Sequence, residues 1–399
     1  MTQRQRIPFL VVGGGLGGLT LALALSRKGY PVHVLEKAHD FGEIGAGIQI
    51  APNASRVLDE LGILEEVRPS VVHPQRLLLV DALSGEHLTA LDFGEPFQRA
   101  YTYRYFVMHR NDLLSALLNA CRQSDAVTLE THREVVAIED LGDGARVTCA
   151  DGTSYDCTAL VGADGLKSIV RSYVIGDGEP VCAEFVAYRG AVPMEEVIET
   201  AGLDTIRYWI GPNLHFIQYP LRRGEIYNQV AVFKSQCYRA DSDDWGTEEE
   251  LEAHFAVTHE SVQRSLTRIK RDRRWPMYDR PPSDNWTRHH ITLLGDAAHP
   301  MLQYIAQGAC QALEDAWCLA EAVASTEGDV DMAFRRYQAV RLPRTAHVQR
   351  SARLFGDIIH SSGVTALLRN VLMTQRAPDD FTYTDWFYGY RPDPFPPGG

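Results

Sequence analysis

The sequence predicts an α/β protein built on two different sheets, and three observations predict it. The first 36 residues have the pattern of a strand, a glycine-rich turn, a helix and a second strand. Segments typical of strands follow one another between residues 186 and 233, and helical patterns dominate after residue 311. Because parallel strands need a crossover connection, the first unit predicts a parallel sheet, and the strand block predicts a separate antiparallel one.

The opening unit is justified element by element. Residues 9–12 are a short apolar run of strand type, and residues 13–18 contain five glycines. Residues 19–25 are apolar enough for a buried helix, which Gly29 ends, and residues 31–35 have the pattern of the second strand. This is a Rossmann-like βαβ unit.

The remaining elements are less distinctive. Helices are predicted at residues 53–66, 112–121, 311–322, 332–337 and 345–359. Hairpins are predicted for 77–80 with 88–91 and for 135–138 with 145–149, because glycine-containing turns separate those apolar runs. Strands are predicted at 187–189, 206–210, 215–219, 228–233 and 290–294, and an extended tail at 391–399.

Composition limits the function classes. The 399 residues are 45% hydrophobic and 23% charged, as in ordinary globular proteins. With 52 acidic against 39 basic side chains, the net charge of −13 repels nucleic acids. No apolar run reaches the ~18 residues of a membrane span, and we see no secretion signal. Seven scattered cysteines form neither a disulfide framework nor a zinc site, so we expect a cytoplasmic protein with no metal.

The glycine-rich turn carries the first chemical signal. Gly13, Gly15 and Gly18 form a Gly-x-Gly-x-x-Gly motif between strand and helix. These glycines permit a tight turn and let a pyrophosphate approach the helix N-terminus. Glu36 ends the second strand, where its carboxylate can accept hydrogen bonds from ribose hydroxyls and disfavours a 2′-phosphate. The motif therefore predicts bound FAD or NAD rather than NADP.

Two later strand ends carry an aspartate beside a glycine. Asp164 precedes Gly165, and Asp296 follows Gly295. Asp296 is placed to accept hydrogen bonds from ribityl hydroxyls, which favours FAD, and Asp164 to meet the phosphates or a nicotinamide. His299, shortly after Asp296, is interpreted as a structural residue that caps the turn.

Together these three segments resemble the fingerprints of the single-component flavin aromatic hydroxylases, the group A monooxygenases similar to p-hydroxybenzoate hydroxylase. The similarity runs from about residue 7 to residue 390. It implies a GR2-type FAD-binding domain with an inserted antiparallel-sheet substrate domain and a helical C-terminal region. The implied FAD domain comprises residues 1–73, 105–177 and 285–340, the substrate domain 74–104 and 178–284, and the C-terminal region 341–399.

The resemblance also implies the FAD contacts. Arg110 matches the arginine that reaches the pyrophosphate, and residues 45–49 match the loop beside the isoalloxazine ring. The backbone amides of Gly308 and Ala309 would stabilise negative charge on the reduced flavin; Ala309 stands where many relatives have glycine, which leaves that amide intact. The implied tight, non-covalent FAD site comprises Gly13, Gly15, Leu16, Gly18, Glu36, Lys37, Gly47, Ile48, Gln49, Arg110, Val135, Asp164, Asp296, Gly308 and Ala309.

Four further segments resemble the 3-hydroxybenzoate 6-hydroxylase branch, namely residues 211–221, 274–280, 300–304 and 383–386. That branch implies a substrate site with His215 as the base and Gln303 bonded to the same phenolic hydroxyl. Tyr105 and Tyr219 would hold the ring and its carboxylate, with Leu302 beside them. Met301 stands where the branch has proline, and we expect it to alter the cavity shape.

The resemblance implies para-hydroxylation of 3-hydroxybenzoate to gentisate. NADH or NADPH would bind transiently and reduce the flavin, and O2 would add at the flavin C4a position to give the hydroxylating hydroperoxide. Salicylate, hydroxynicotinate or an aminohydroxybenzoate remain alternative substrates. A reductase or oxidase without hydroxylation and a non-catalytic FAD-binding module are different-class alternatives.

Two expectations concern surfaces. The aromatic stretch 381–390 is predicted to cover the interface of a homodimer. An acidic chain that admits an anionic acid also needs a locally neutral or basic entrance, which the sequence does not locate.

Overall fold

The computed structural model describes residues 6–42, 46–197, 202–242, 244–391 and 395. Gly45 and most of the predicted tail lie outside these residues. The strands are β1 (Ile7–Val12), β2 (Val32–Leu35), β3 (Gly47–Ile50), β4 (Arg76–Asp81), β5 (His87–Asp92), β6 (Phe106–His109), β7 (Val127–Glu130), β8 (Val135–Asp140), β9 (Ala145–Cys149), β10 (Ser154–Gly162), β11 (Val181–Pro193), β12 (Thr205–Gly211), β13 (Leu214–Leu221), β14 (Ile226–Lys234), β15 (Arg274–Asp279), β16 (Thr287–Arg288) and β17 (Ile291–Leu293).

The helices follow the same chain order. They are α1 (Leu16–Arg27), α2 (Pro52–Glu60), α3 (Leu64–Val67), α4 (Glu95–Tyr101), α5 (Arg110–Arg122), α6 (Ile169–Val174), α7 (Glu248–Phe255), α8 (Glu260–Leu266), α9 (Gly308–Ser325), α10 (Val330–Ile359), α11 (Gly363–Thr374) and α12 (Asp385–Tyr388). Within the described ranges, none of them has the length and apolar character that a membrane crossing requires.

The first sheet confirms the predicted α/β class. Its strands run in the order β16-β17-β10-β1-β2-β7, and β1 lies parallel between β10 and β2. Helix α1 forms the crossover from β1 to β2 and packs against α9. Apolar side chains of both helices are buried, which places the main core over this sheet.

The second sheet is the predicted strand block with one hairpin added. Its order is β15-β11-β14-β13-β12-β4-β5, antiparallel except where β12 pairs with β4. A small antiparallel sheet of β3 and β6 adjoins it, and the amide of Gly47 in β3 donates to Oδ1 of Asn228 in β14 at 2.8 Å. The second sheet is thereby bonded to the segment that follows the first βαβ unit.

Two helix predictions need correction. The helix predicted at 53–66 is interrupted, because Gly62 adopts a φ of +62° between α2 and α3. The helices predicted at 332–337 and 345–359 form one continuous helix, α10, with Pro343 inside it. Proline removes a helical hydrogen bond and clashes with the preceding turn, so α10 needs outside support at this point.

That support comes from buried ion pairs on either side of Pro343. Arg341 Nε lies 2.6 Å from Asp315 Oδ1, and its guanidinium also bonds Glu314; Arg344 lies 2.9 Å from the same Glu314. All four side chains are buried. Burial alone would raise the pKa of Asp315, but His299 and Arg341 beside it bring that pKa to about 2.

The imidazole of His299 is buried and bonds Asp315 through Nε2. His299, predicted to cap its own turn, therefore bonds a buried carboxylate within α9.

The aromatic stretch 381–390, predicted to cover a homodimer interface, makes contacts within its own chain. The rings of Phe381 and Tyr388 pack against Phe97 and Tyr101 of α4, with centroids 5.5–5.9 Å apart. Apart from exposed residues such as Tyr383, this stretch closes the chain's own core. Its aromatic rings pack against other rings of the same chain. Sequence composition alone does not reveal these contacts.

We expect Arg341→Leu to destabilise the fold by ~3–5 kcal/mol, because it leaves two buried carboxylates with too few cations. Urea denaturation followed by circular dichroism measures this. The matched control is Arg335→Leu on the same helix, where the pair with Asp331 is at the surface and contributes ~0.5 kcal/mol or less. Equal stability of the two variants would contradict a supporting role for the buried pairs.

Candidate functional site

A cavity of about 1730 Å³ is lined by the first sheet, the second sheet and the C-terminal helices. The lining includes these residues of the predicted cofactor site: Gly13, Gly15, Leu16, Glu36, Lys37, Gly47, Ile48, Gln49, Arg110, Val135, Asp164, Asp296, Gly308 and Ala309. Gly18 is different, because it does not line the cavity. A Cβ on Gly18 would lie 2.0 Å from the Gly13 carbonyl oxygen, so this glycine lets α1 pack closely on the turn.

The glycine turn leaves a helix N-terminus open towards the cavity. Gly13 has a φ of +108°, and a Cβ there would lie 2.3 Å from the Ala163 carbonyl oxygen. Gly15 is the N-cap of α1, which has neither a side-chain cap nor an acidic residue in its first turn. Unpaired amides and the helix dipole at such a terminus suit a pyrophosphate.

Glu36 lies at the edge of the same turn. Its carboxylate accepts hydrogen bonds from the amides of Gly14 and Ala38, both at 2.8 Å. A carboxylate has about four acceptor positions, so these two bonds orient the group and leave capacity for ribose hydroxyls.

Asp164, predicted to meet the phosphates or a nicotinamide, also bonds the start of the next helix. Its carboxylate accepts bonds from the Ser168 hydroxyl at 2.5 Å and from the Ile169 and Val170 amides at 2.8 and 3.3 Å. It therefore satisfies the N-terminus of α6, although it also lines the cavity. Desolvation raises the pKa of Asp164.

A cation and an anion also belong to the lining. Arg110, at the start of α5, is partly buried; burial lowers the pKa of Arg110, and the charge of Asp296 opposes that shift. Helix α9 begins at Gly308 with no side-chain cap and no acidic residue in its first turn. The glycine amides and Arg110 can donate to the phosphates and Asp296 can accept from ribityl hydroxyls, so the set fits a dinucleotide with a ribityl chain.

The predicted base lies in the same cavity. His215 on β13 is 1% exposed, and its Nδ1 lies 2.8 Å from Nε2 of His360. Gln303 lines the same cavity, as do Tyr208 and Tyr304. Burial first, and His360 second, hold the pKa of His215 well below its ordinary value, so the ring is neutral near pH 7.

The two predicted tyrosines also line this cavity. Tyr105 donates its hydroxyl to Gln49 Oε1 at 2.7 Å. The ring of Tyr219 lies against Gly47, where an added Cβ would come within 2.5 Å of it. Leu302, in contrast, does not line the cavity; its side chain packs in an apolar cluster with Tyr208 and Ile359.

Arg189 and His360 also belong to this region, and the sequence predicts neither of them. Arg189 on β11 lines the cavity, and its guanidinium lies 4.5 Å from the Trp275 ring centroid. No local motif marks either residue, because each reaches the site through long-range packing.

Comparison with known proteins identifies the family of this chain. Residues 6–352 match the model of the FAD-binding domain family. The chain belongs to this family.

Curated relatives show which kind of enzyme within this family the chain resembles. A 3-hydroxybenzoate 6-hydroxylase of Klebsiella oxytoca is 38% identical over 96% of this chain and 97% of that protein. One from Polaromonas naphthalenivorans is 39% identical over 96% of both chains. A 3-amino-4-hydroxybenzoate 2-monooxygenase of Streptomyces platensis is 34% identical over 96% of both. This family member is an FAD-dependent aromatic monooxygenase.

Solved structures agree in fold. Klebsiella pneumoniae HpxO, solved with FAD and uric acid, has a TM-score of 0.85 and 25% identity over 95% of this chain and 96% of that chain. A salicylate hydroxylase solved with its substrate has a TM-score of 0.80 and 24% identity over 98% and 97% of the two chains. Within the described residues, no group of three or more His, Cys, Asp or Glu side chains is arranged to hold a metal ion.

We expect Asp296→Ala to weaken FAD binding, because a carboxylate that accepts ribityl hydrogen bonds contributes ~1.5–3 kcal/mol, roughly 10- to 100-fold in affinity. Flavin content per chain and a fluorescence titration of the apoprotein measure the loss. Asp284→Ala is the control, since Asp284 is exposed and does not line the cavity. Full flavin retention by Asp296→Ala would contradict the assigned contact.

Proposed function

We propose that this monooxygenase hydroxylates 3-hydroxybenzoate at the para position to give gentisate, using NADH or NADPH as a transient reductant and O2. The observation that carries the proposal is that the buried His215 and Gln303 both line the cavity that the FAD residues also line. Relatives named 3-hydroxybenzoate 6-hydroxylase, matched over nearly the whole chain, support the choice of substrate.

The residues at this site can prepare a phenol for electrophilic attack. Bound FAD supplies hydride acceptance and oxygen activation. His215, neutral in its buried position, accepts the hydroxyl proton, and Gln303 bonds the same oxygen. Tyr105 and Tyr219, whose side chains are buried in the cavity wall, hold the aromatic ring.

The side chains that line the cavity also explain how a chain of net negative charge can admit an anionic substrate. Seven basic and five acidic side chains line it, so its wall is more basic than a chain of net charge −13 would suggest. The basic residues are Lys37, Arg110, Arg133, Lys167, Arg189, Arg369 and Arg376. An anionic aromatic acid and an anionic nucleotide therefore meet a locally favourable field.

Arg189 is the cation that we assign to the substrate carboxylate. Its Nε is buried without a hydrogen-bond partner among the described residues. Burial and the nearby Arg110 lower the pKa of Arg189 to about 10, so it stays charged at pH 7. A buried cation of this kind is stabilised when an anion enters the cavity.

A second candidate is hydroxylation of an amino-substituted hydroxybenzoate. The relative named 3-amino-4-hydroxybenzoate 2-monooxygenase favours it, since the same histidine and cation would serve that ring. A reductase or oxidase without hydroxylation finds less support, because it has no use for a buried proton acceptor such as His215 in the cavity wall.

The assembly and location form a separate part of the proposal. We propose a homodimer that buries the apolar face of α11, where Val364, Leu367, Leu368, Val371 and Leu372 are all exposed. Sedimentation equilibrium should then give twice the chain mass of 44.6 kDa, and a monomer would contradict it. All seven cysteines, each in the described part of the chain, are free thiols, which supports a cytoplasmic location.

We expect 3-hydroxybenzoate to stimulate NADH or NADPH oxidation by the purified holoenzyme and to yield gentisate labelled from 18O2. Chromatography with mass spectrometry identifies the product, and salicylate and 3-amino-4-hydroxybenzoate serve as comparison substrates. Peroxide formation without labelled product, or a 2,3- or 3,4-dihydroxybenzoate product, would reject the proposed reaction.

We expect Arg189→Gln to weaken 3-hydroxybenzoate binding by roughly 10- to 100-fold, the usual effect of losing a charged hydrogen bond. The change in flavin absorbance on titration measures the dissociation constant. Phenol, which lacks the carboxylate, should bind both forms alike. The control is Arg273→Gln, because Arg273 contacts the same Trp275 ring from outside the cavity. Equal weakening for phenol and 3-hydroxybenzoate would remove the carboxylate assignment.

A further inference from the structure

We infer that His360 is a positioning residue: it holds His215 as the Nδ1–H tautomer, so that Nε2 of His215 is free to take the substrate's hydroxyl proton. The inference rests on the proposed function, because it deepens the role of the same site. It assigns a task to a residue that does not line the cavity.

The contact between the two imidazoles carries the argument. Nδ1 of His215 and Nε2 of His360 are 2.8 Å apart, and the ring planes differ by 18°. Both rings are buried, at 1% and 7% exposure. A contact of this length between two nitrogens needs exactly one proton between them, so one nitrogen donates and the other accepts.

The position of His360 is set by the fold. It is the C-cap of α10, its amide donates to the Gly356 carbonyl at 3.0 Å, and its carbonyl accepts from the Asn213 amide at 3.0 Å. Its ring stacks on Phe185 with centroids 4.5 Å apart. His360 is therefore held in place before any ligand binds.

The tautomer follows from what His215 must do. If His360 Nε2 accepts, His215 carries its proton on Nδ1 and presents an unprotonated Nε2. When the substrate O–H bond breaks, the proton forms a bond to this Nε2 and remains there, hydrogen-bonded to the phenolate. The Nδ1–H bond to His360 then stabilises the imidazolium, and its charge is balanced by the phenolate.

The surroundings of His215 disfavour a charged ring, so the imidazolium needs the hydrogen bond to His360. Burial lowers the pKa of His360 to about 3 and, with His360 beside it, that of His215 well below 6.5, so both rings are neutral at pH 7. Tyr208 on β12 and Tyr304 face His215, and burial raises the pKa of both hydroxyls. The charge that acts on His360 is that of Arg369 on α11, so His360 serves as an acceptor rather than as a second cation.

The test compares His360→Phe, which keeps a stacking ring without an acceptor, with His360→Gln, which keeps an acceptor. Nitrogen-15 NMR of the substrate-free holoenzyme should show His215 as the Nδ1–H tautomer in the wild type and in His360→Gln, but not in His360→Phe. His254→Phe is the matched control, since the His254 ring also packs on a phenylalanine ring, that of Phe233 with centroids 4.8 Å apart, and does not line the cavity.

The second readout is the pH at which bound 3-hydroxybenzoate becomes phenolate, followed by difference absorbance. We expect His360→Phe to raise it by about one pH unit or more, a tenfold change in the proton-transfer equilibrium, with His360→Gln and His254→Phe near the wild-type value. His215→Asn should abolish this titration below the pH at which the free phenol ionises.

An Nε2–H tautomer in the wild type, or an unchanged phenolate titration in His360→Phe, would overturn the inference even if gentisate is formed. If His360→Phe does not fold, a shifted tautomer in His360→Gln overturns it as well. Failure of the proposed function appears separately, as absent gentisate together with an intact Nδ1–H tautomer, because the NMR measurement needs no substrate.

Discussion

The site depends on one buried interaction, the ion pairs between Arg341 and Arg344 of α10 and Glu314 and Asp315 of α9. Helix α9 begins at Gly308 in the cavity wall, and α10 ends at Ile359, directly before His360. Fixing these helices to each other therefore fixes the cofactor end and the proton-accepting end together. Buried charges are costly unless paired, so the arrangement tolerates little displacement.

The features that could be predicted from the sequence are those formed by residues close together in the chain. The turn from Gly13 to Glu36 was predictable because its parts are neighbours in the chain and the backbone itself demands glycine at Gly13. The alternation of His215 and Tyr219 on one strand face was likewise readable once β13 was recognised. The assignment of these side chains to a substrate came from resemblance, not from spacing.

The remainder could not be predicted because it depends on contacts between distant segments. Arg189 faces the cavity only through the pairing of β11 with β14 and β15, and His360 meets His215 across 145 residues. A proline such as Pro343 predicts the end of a helix when only neighbouring residues are considered. The buried ion pairs on either side of it account for the continuation of α10. Asp164 was predicted as a ligand contact from its place beside Gly165, but its three bonds to Ser168 and the first residues of α6 could not be predicted from the sequence.

The strand order of the first sheet has a consequence for biosynthesis. Strand β1, which leads into the phosphate turn, pairs with β10 at Phe9 and Ala159, and β10 pairs with β17 at Leu160 and Ile291. A ribosome must therefore synthesise residues up to about 293 before the sheet that carries the nucleotide turn has its β17 strand. Such long-range pairing slows folding, so the emerging chain completes its flavin site late, and its apolar strands are prone to aggregation until then.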